Sequence, residues 1–278
     1  MEQNNAQTGT SRAPSEGHTR TSEKRNAFTE LLSSRDKQPK HESNSSTNTS
    51  ARQGSRAASG GREGLNPYIV KPESFPPNVV IYHSEDFVAI HDMFPKSSLH
   101  LLLLPRDQAK TRLHPFDAFE DPEFLAKVRF QTQKLRALAA GELRRKYGKD
   151  SAQEQKRQAA LNADPPPDEL PAGRDWDKEI MCGVHAVPSM NHLHVHVIAV
   201  DRYSDRLKHR KHYNSFSTPF FVPIEDFPLA PEDVRRHPTR EGYLKRDFEC
   251  WRCGKSFGNR FVELKKHLEQ EFKEWKKL

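Results

Sequence analysis

The chain has 278 residues, of which only 34% are hydrophobic, with 20 prolines and a formal net charge of +7. That length holds one medium domain plus something small, and no apolar run approaches a membrane span. Three cysteines, two of them in one Cys-x-x-Cys, argue against a disulfide framework and for a reducing compartment. The polar N-terminus is no secretory signal, and the basic balance permits a polyanionic partner without proving one.

Residues 1–61 are rich in Ser, Asn, Gln, Gly, Arg and Thr. Such a stretch cannot bury enough apolar surface to offset its ordering entropy, so a disordered tail is predicted. Within it, residues 26–32 around Phe28 form an apolar island. The island reads either as a helix that docks on a protein partner or as a chance cluster. Strand-like runs follow at 78–82, 87–91 and 99–104, with turn residues between them. Residues 121–146 read as a helix. Asp121 can cap it, Pro122 suits its first turn, and Phe124, Val128, Leu135 and Leu138 fall on one face. Residues 149–175 are polar, contain Pro165-Pro166-Pro167, and read as an insertion loop. Strands are expected at 180–186 and 192–200, and residues 216–224 are aromatic and β-leaning. The main domain thus spans 62–225. A proline- and charge-rich linker follows at 226–245, and a compact unit fills 246–278.

The segment His192-Leu193-His194-Val195-His196-Val197-Ile198 carries the densest chemistry. On a strand, alternate side chains share a face, so three imidazoles line up while Leu193, Val195 and Val197 enter the core. A neutral imidazole can attack phosphorus and leave a phosphoramidate that water cleaves, which splits one hard step into two. Ser189 offers a hydroxyl to a phosphate, His185 lies on the adjoining strand, and residues 206–212 supply cations. Two other readings fit the triplet alone: a metal site built from His-x-His, or solvated surface histidines. No carboxylate ligand accompanies the triplet. Cys182, in an apolar strand beside Gly183, reads as a buried small residue without a role.

Near the C-terminus, Cys250-Trp251-Arg252-Cys253 presents two thiolates to one ion. Thirteen residues then intervene before His267, and Glu271 lies four further on. Residues i and i+4 share a helix face, so His267 and Glu271 can complete a zinc site, whereas Glu269 faces away. A small core of this kind needs metal to fold, which makes the zinc structural. Lys245, Arg246, Arg252, Lys255, Arg260, Lys265 and Lys266 suit DNA phosphates, although Glu263, Glu269, Glu271 and Glu274 partly offset them.

The run 192–198 matches His-φ-His-φ-His-φ-φ, the motif of the histidine-triad superfamily. Residues 183–191 joined to it, residues 91–97 with 101–105, and residues 211–216 resemble the aprataxin family, its DNA-adenylate hydrolase branch. The resemblance covers residues 62–278 except the stretch near 150–175. It implies an α+β fold, an antiparallel sheet with flanking helices followed by a small zinc finger. It implies removal of AMP from 5′-adenylated DNA through a covalent histidine–AMP intermediate, in single-strand break repair. A guanosine cap on a DNA 3′ end is a second implied substrate. By position His194 is the nucleophile, His196 binds the phosphate, and His192 orients its neighbours. Ser189 holds a phosphate oxygen, His185 protonates the leaving group and Lys208 neutralises transition-state charge. Asp92 accepts from the ribose hydroxyls, while Met190, Lys96 and Phe94 line the nucleotide site. Leu102 and Leu104 either join them or are ordinary core. The finger ligands are Cys250, Cys253, His267 and Glu271, holding one zinc ion. One position departs: the family's aromatic wedge against the DNA end falls on Gly61, which cannot stack. DNA with adenylated nicks as partner, AMP as product, a monomeric state and a nuclear location follow from this reading. A hydrolase of small dinucleotides or nucleoside phosphoramidates, or a DNA-binding scaffold without catalysis, are the alternatives.

Overall fold

Short, largely apolar runs pair into one sheet in the computed structural model, which describes residues 61–278. The tail through residue 60, with Phe28 and its island, lies outside the described residues. Strands β1 (Val80–His83), β2 (Phe87–His91), β3 (His100–Pro105), β4 (Ile180–His185), β5 (Val195–Ala199) and β6 (Phe221–Pro223) form it. They run in the order β1-β2-β3-β5-β4-β6, and every neighbouring pair is antiparallel. A period of two assigns each residue a face. Leu101, Leu103, Cys182, Val184, Val195 and Val197 form one face, and they pack on the long helix α3 (Pro122–Tyr147). His100, Leu102 and His196 lie on the other, with Leu102 directly opposite His196. The first face carries the main core; the second carries a smaller cluster, Val88, Ile90, Leu102 and Leu104 against Tyr68 and Ile69, with the histidines beside it. Short helices α1 (Asn66–Val70) and α2 (Pro115–Ala118) precede α3.

Helix α3 begins where its capping chemistry places it. The Asp121 carboxylate accepts from the amides of Glu123 (3.0 Å) and Phe124 (3.1 Å), and Pro122 follows in the first turn. The buried stripe is Phe124, Leu125, Val128, Thr132, Leu135, Ala139, Ala140 and Leu143. Leu138 is not in it and is 54% exposed. At about 100° per residue the stripe centres on Val128 and Ala139, and Leu138 falls to its side.

Residues 149–175 contain a helix, α4 (Ala152–Leu161), where a loop is expected. Ser151 caps it, accepting from the Glu154 amide, and Ala, Gln, Glu, Lys and Arg are strong helix formers. Glu154 is its only buried residue and accepts from Trp176 Nε1 (3.0 Å) and from Arg144 (3.0 Å). Residues 216–224 also differ from expectation. Helix α5 (Arg210–Ser217) runs through Phe216, and only β6 is extended. Pro219 follows two residues after the helix end, and the residue before a proline disfavours helical backbone.

Helix α6 (Phe261–Lys277) and the hairpin β7 (Phe248–Glu249)–β8 (Ser256–Gly258) build the C-terminal unit. Leu207 and Tyr213, from before and within α5, share its core with Phe248, Phe257, Leu264 and Leu268. Trp275 joins the main core instead. Residues 226–245 are packed as well, with Phe227, Leu229 and Tyr243 buried. Arg174 fastens the finger helix. Its guanidinium lies between Trp176 (4.4 Å) and Trp275 (4.6 Å), donates to the Trp275 carbonyl (2.7 Å), and pairs with Glu179 at 2.9 Å.

Candidate active site and metal centre

On the second face of the sheet lies a cavity of about 1070 Å³. Leu65, Tyr68, Ile90, Leu102 and Met190 give it an apolar wall. His100, His185, His194 and His196 give it an imidazole wall, and Lys96, Arg210, Lys211 and Lys245 bring cations. Apolar surface beside a few convergent polar groups is the usual make-up of a small-ligand site.

His194 lies just before β5, not within it, as does His192. The strand starts late because the Leu193 amide donates to the Thr111 carbonyl (2.7 Å) and not to a neighbouring strand. His194 Nδ1 donates to the His192 carbonyl at 2.7 Å. A carbonyl only accepts, so Nδ1 holds the proton and Nε2 keeps its lone pair. Burial holds His194 below the ordinary histidine value of 6.5, so the ring is neutral at pH 7. The His196 ring stands 4.9 Å from that of His194, and the His185 ring 4.4 Å from that of His196. Burial pushes both well below 6.5. Their Nε2 atoms are buried without a partner among the described residues. Such atoms are costly unless a ligand or water meets them, so they mark where polar substrate atoms belong.

His100 completes the cluster, a lone histidine followed by four leucines that belongs to no motif in the sequence. It shares a strand face with Leu102, and that spacing was the available signal. Its Nε2 lies 2.9 Å from His196 Nδ1, and its Nδ1 lies 3.3 Å from Asp92 Oδ2. Burial lowers it to about 4, against the opposing pull of Asp92. Asp92, His100 and His196 therefore bring a carboxylate and two imidazoles together. The facing nitrogens are hydrogen-bonded to each other, which leaves them no lone pairs to share on one ion.

Asp92, Phe94, Lys96, Ser189 and Met190 all line the cavity. Asp92 Oδ1 accepts from the Phe94 amide (2.7 Å), and the Lys96 ammonium donates to the Phe94 carbonyl. Burial lowers the Lys96 pKa. Leu104 is fully buried core, whereas Leu102 touches both core and cavity. Two residues are not brought in. Lys208 is exposed and off the cavity wall, where Lys211 and Arg210 of α5 stand instead. His192 faces a smaller cavity of about 260 Å³, with its Nε2 3.7 Å from Glu63. Its contribution to the main cavity is its carbonyl, through His194. Gly61 sits on the cavity wall with φ +53°. Cys182 is buried, and burial raises its thiol to about 12, which keeps it inert.

The four finger residues converge. One ligand atom from each of Cys250, Cys253, His267 and Glu271 lies within 4.8 Å of the others. Cys253 Sγ is 3.2 Å from His267 Nε2, which is 3.1 Å from Glu271 Oε1. Gly254, at φ +71°, closes the turn that aims both thiols, and its amide donates to the Cys250 carbonyl (3.0 Å). Arg252 holds the second Glu271 oxygen at 2.6 Å, fixing the carboxylate as a supporting partner does in metal sites. Two thiolates, one imidazole and one carboxylate oxygen fit tetrahedral zinc. Glu269 turns away to Lys273 (2.9 Å).

The HIT domain family matches residues 74–203, and the C2HE / C2H2 / C2HC zinc-binding finger matches residues 217–274. An aprataxin-like protein of Schizosaccharomyces pombe is 37% identical over 219 residues, covering 77% of this chain and 82% of that relative. The chain belongs to the aprataxin family. A crystal structure of the aprataxin orthologue Hnt3 in complex with DNA superposes with a TM-score of 0.60 at 33% identity. It covers 77% of this chain and 96% of its own. Hnt3 in complex with DNA and guanosine gives 0.59 at 35% identity, with the same coverage. The aprataxin fold, a histidine-triad sheet with a C-terminal finger, is thus the fold of this chain.

Proposed function

We propose that this chain is a DNA 5′-adenylate hydrolase that clears AMP from ends left by abortive ligation. The carrying observation is His194: a neutral, buried imidazole whose bonded Nδ1 leaves the Nε2 lone pair free at an enclosed cavity. The lone pair attacks the AMP phosphorus, and a P–N bond forms as the P–O bond to the DNA 5′-phosphate breaks. His185, through its unpartnered Nε2, serves the departing phosphate oxygen, and His196 and Ser189 hold the non-bridging oxygens. Water then attacks the same phosphorus, the P–N bond breaks, and AMP leaves with His194 regenerated. The apolar wall takes the base, and Asp92 takes the ribose hydroxyls. One zinc ion, held by Cys250, Cys253, His267 and Glu271, stabilises the finger, which with α5 meets DNA phosphates.

The DNA complexes of the Hnt3 relatives support a DNA partner. The guanosine in one of them supports a 3′ guanosine cap as a second substrate. We place the reaction in the nucleus, where such ends arise, with a monomer as the acting species. The test is a nicked duplex bearing a 5′-adenylate, incubated with the chain and with His194→Ala. The reading expects AMP and a free 5′-phosphate from the parent, and turnover lower by orders of magnitude from the variant. Small dinucleotides cleaved in preference to the nick would replace the proposed substrate.

A further inference from the structure

One nitrogen at the edge of the cavity has two suitors. His100 Nδ1 lies 3.3 Å from the Asp92 carboxylate and 3.2 Å from the Lys96 backbone N–H. The carboxylate accepts only and the amide donates only, so the two demand opposite tautomers. With Asp92 engaged, Nδ1 carries the proton, and His100 Nε2 must accept from His196 Nδ1 at 2.9 Å. His196 Nε2 then presents a lone pair to the cavity, which repels phosphate oxygens. With the Lys96 amide engaged, the proton sits on His100 Nε2 and is donated to His196 Nδ1. His196 Nε2 then carries an N–H into the cavity, where its buried edge otherwise lacks a partner. The Lys96 amide is the better-aligned partner of Nδ1 in this structure and Asp92 the charged one; a charge-assisted bond is the stronger, so Asp92 takes Nδ1 before nucleotide binds.

We infer that His100 is a positioning residue that relays occupancy of Asp92 to His196, so that a vicinal diol on Asp92 turns His196 into a phosphate donor. This deepens the nucleotide reading above and rests on it. Two diol hydroxyls satisfy the Asp92 oxygens, which releases His100 Nδ1 to the Lys96 amide. No proton leaves the chain of three groups: each imidazole keeps one proton and exchanges which nitrogen bears it. The ribose thereby contributes to the chemical step, beyond adding affinity.

The test reads tautomers directly, by two-bond proton–nitrogen NMR of the histidine rings in the full chain, with AMP and with 2′,3′-dideoxy-AMP. AMP is expected to move the His100 proton from Nδ1 to Nε2 and the His196 proton from Nδ1 to Nε2. The dideoxy nucleotide is expected to bind and leave both in place. Asp92→Asn, which removes the charged acceptor, is expected to show the shifted tautomers before any nucleotide is added. On adenylated nicks, a 2′,3′-dideoxy cap is expected to lower the single-turnover rate at least about tenfold at saturation, as a lost phosphate donor does. Bound AMP without a tautomer shift, or an identical shift with both nucleotides, overturns the relay and leaves the hydrolase reading standing. Failure of AMP to bind at all overturns both.

Discussion

Replacing Arg174 with alanine tests how the finger helix is held. The guanidinium is 2% exposed and pairs with Glu179, whose own side chain is 19% exposed. Its other contacts are the two tryptophan rings and the Trp275 carbonyl. Breaking a buried ion pair from one side costs about 3–5 kcal/mol, because the remaining charge stays desolvated. Glu179 keeps Trp275 Nε1 as a donor at 2.6 Å and some solvent, which places the cost near the lower bound. The two lost cation–π contacts add about 1 kcal/mol or more. A loss of about 4–5 kcal/mol is therefore expected. Arg174→Lys keeps the charge but not the planar stacking fork, and is expected to lose about half as much. Urea unfolding followed by tryptophan fluorescence, at fixed zinc concentration, measures both, since Trp176 and Trp275 flank the site. A loss below about 1 kcal/mol for Arg174→Ala would show that the sandwich is not what fastens the helix, and would refute the reasoning.

The acid limb of kcat/KM is expected below pH 6.5, with activity lost as pH falls through the lowered His194 pKa, because only the neutral ring attacks. A limb above 6.5 in a pH–rate profile would contradict the burial argument. The same burial makes the fold acid-sensitive. The unfolded chain protonates His100 near 6.5 and the folded chain only near 4, so stability falls as pH drops across that window, by about 3 kcal/mol for this residue. Denaturant unfolding at pH 7.5 and pH 4.5 measures it, and equal stabilities would refute it. Gly183→Ala places a Cβ 2.3 Å from the Val222 carbonyl oxygen and 2.8 Å from the Phe221 ring. Strand β6 must then shift, at about 1–3 kcal/mol, read as a lowered melting temperature. Cys250→Ser is expected to reduce bound zinc from one ion per chain to almost none by atomic absorption, and retention of the ion would displace the ligand assignment.

The parts of the fold visible in the sequence were those governed by local rules. Residues 87–91 are a short apolar run bounded by turn residues and pair as β2, and Asp121-Pro122 starts α3 where capping chemistry allows. The convergence of Cys250, Cys253, His267 and Glu271 was legible because i and i+4 on a helix, with a Cys-x-x-Cys turn, fix their own geometry. Helix α4 was hidden because it buries only Glu154 and so leaves no apolar period to read. The packing of residues 226–245 and of Trp275 into the main core depends on contacts distant in sequence, which composition cannot report. In the site, the alternation of the triad predicted the inward Leu193, Val195 and Val197 correctly. It did not reveal that His192 faces a separate cavity, because the chain at Leu193 bonds to Thr111 before the strand begins. His100 was missed since it stands alone among leucines, and only the pairing of β3 with β5 brings it to His196.

The most direct measurement is the fate of the AMP phosphorus during turnover. Mixing the chain with a 5′-adenylated nick, quenching within one turnover in mild base to preserve a phosphoramidate, and mapping peptides by mass should place one AMP on His194 and nowhere else. Turnover that proceeds with no adduct on His194, or with inversion of configuration at phosphorus, would mean that water attacks directly and that His194 is not the nucleophile.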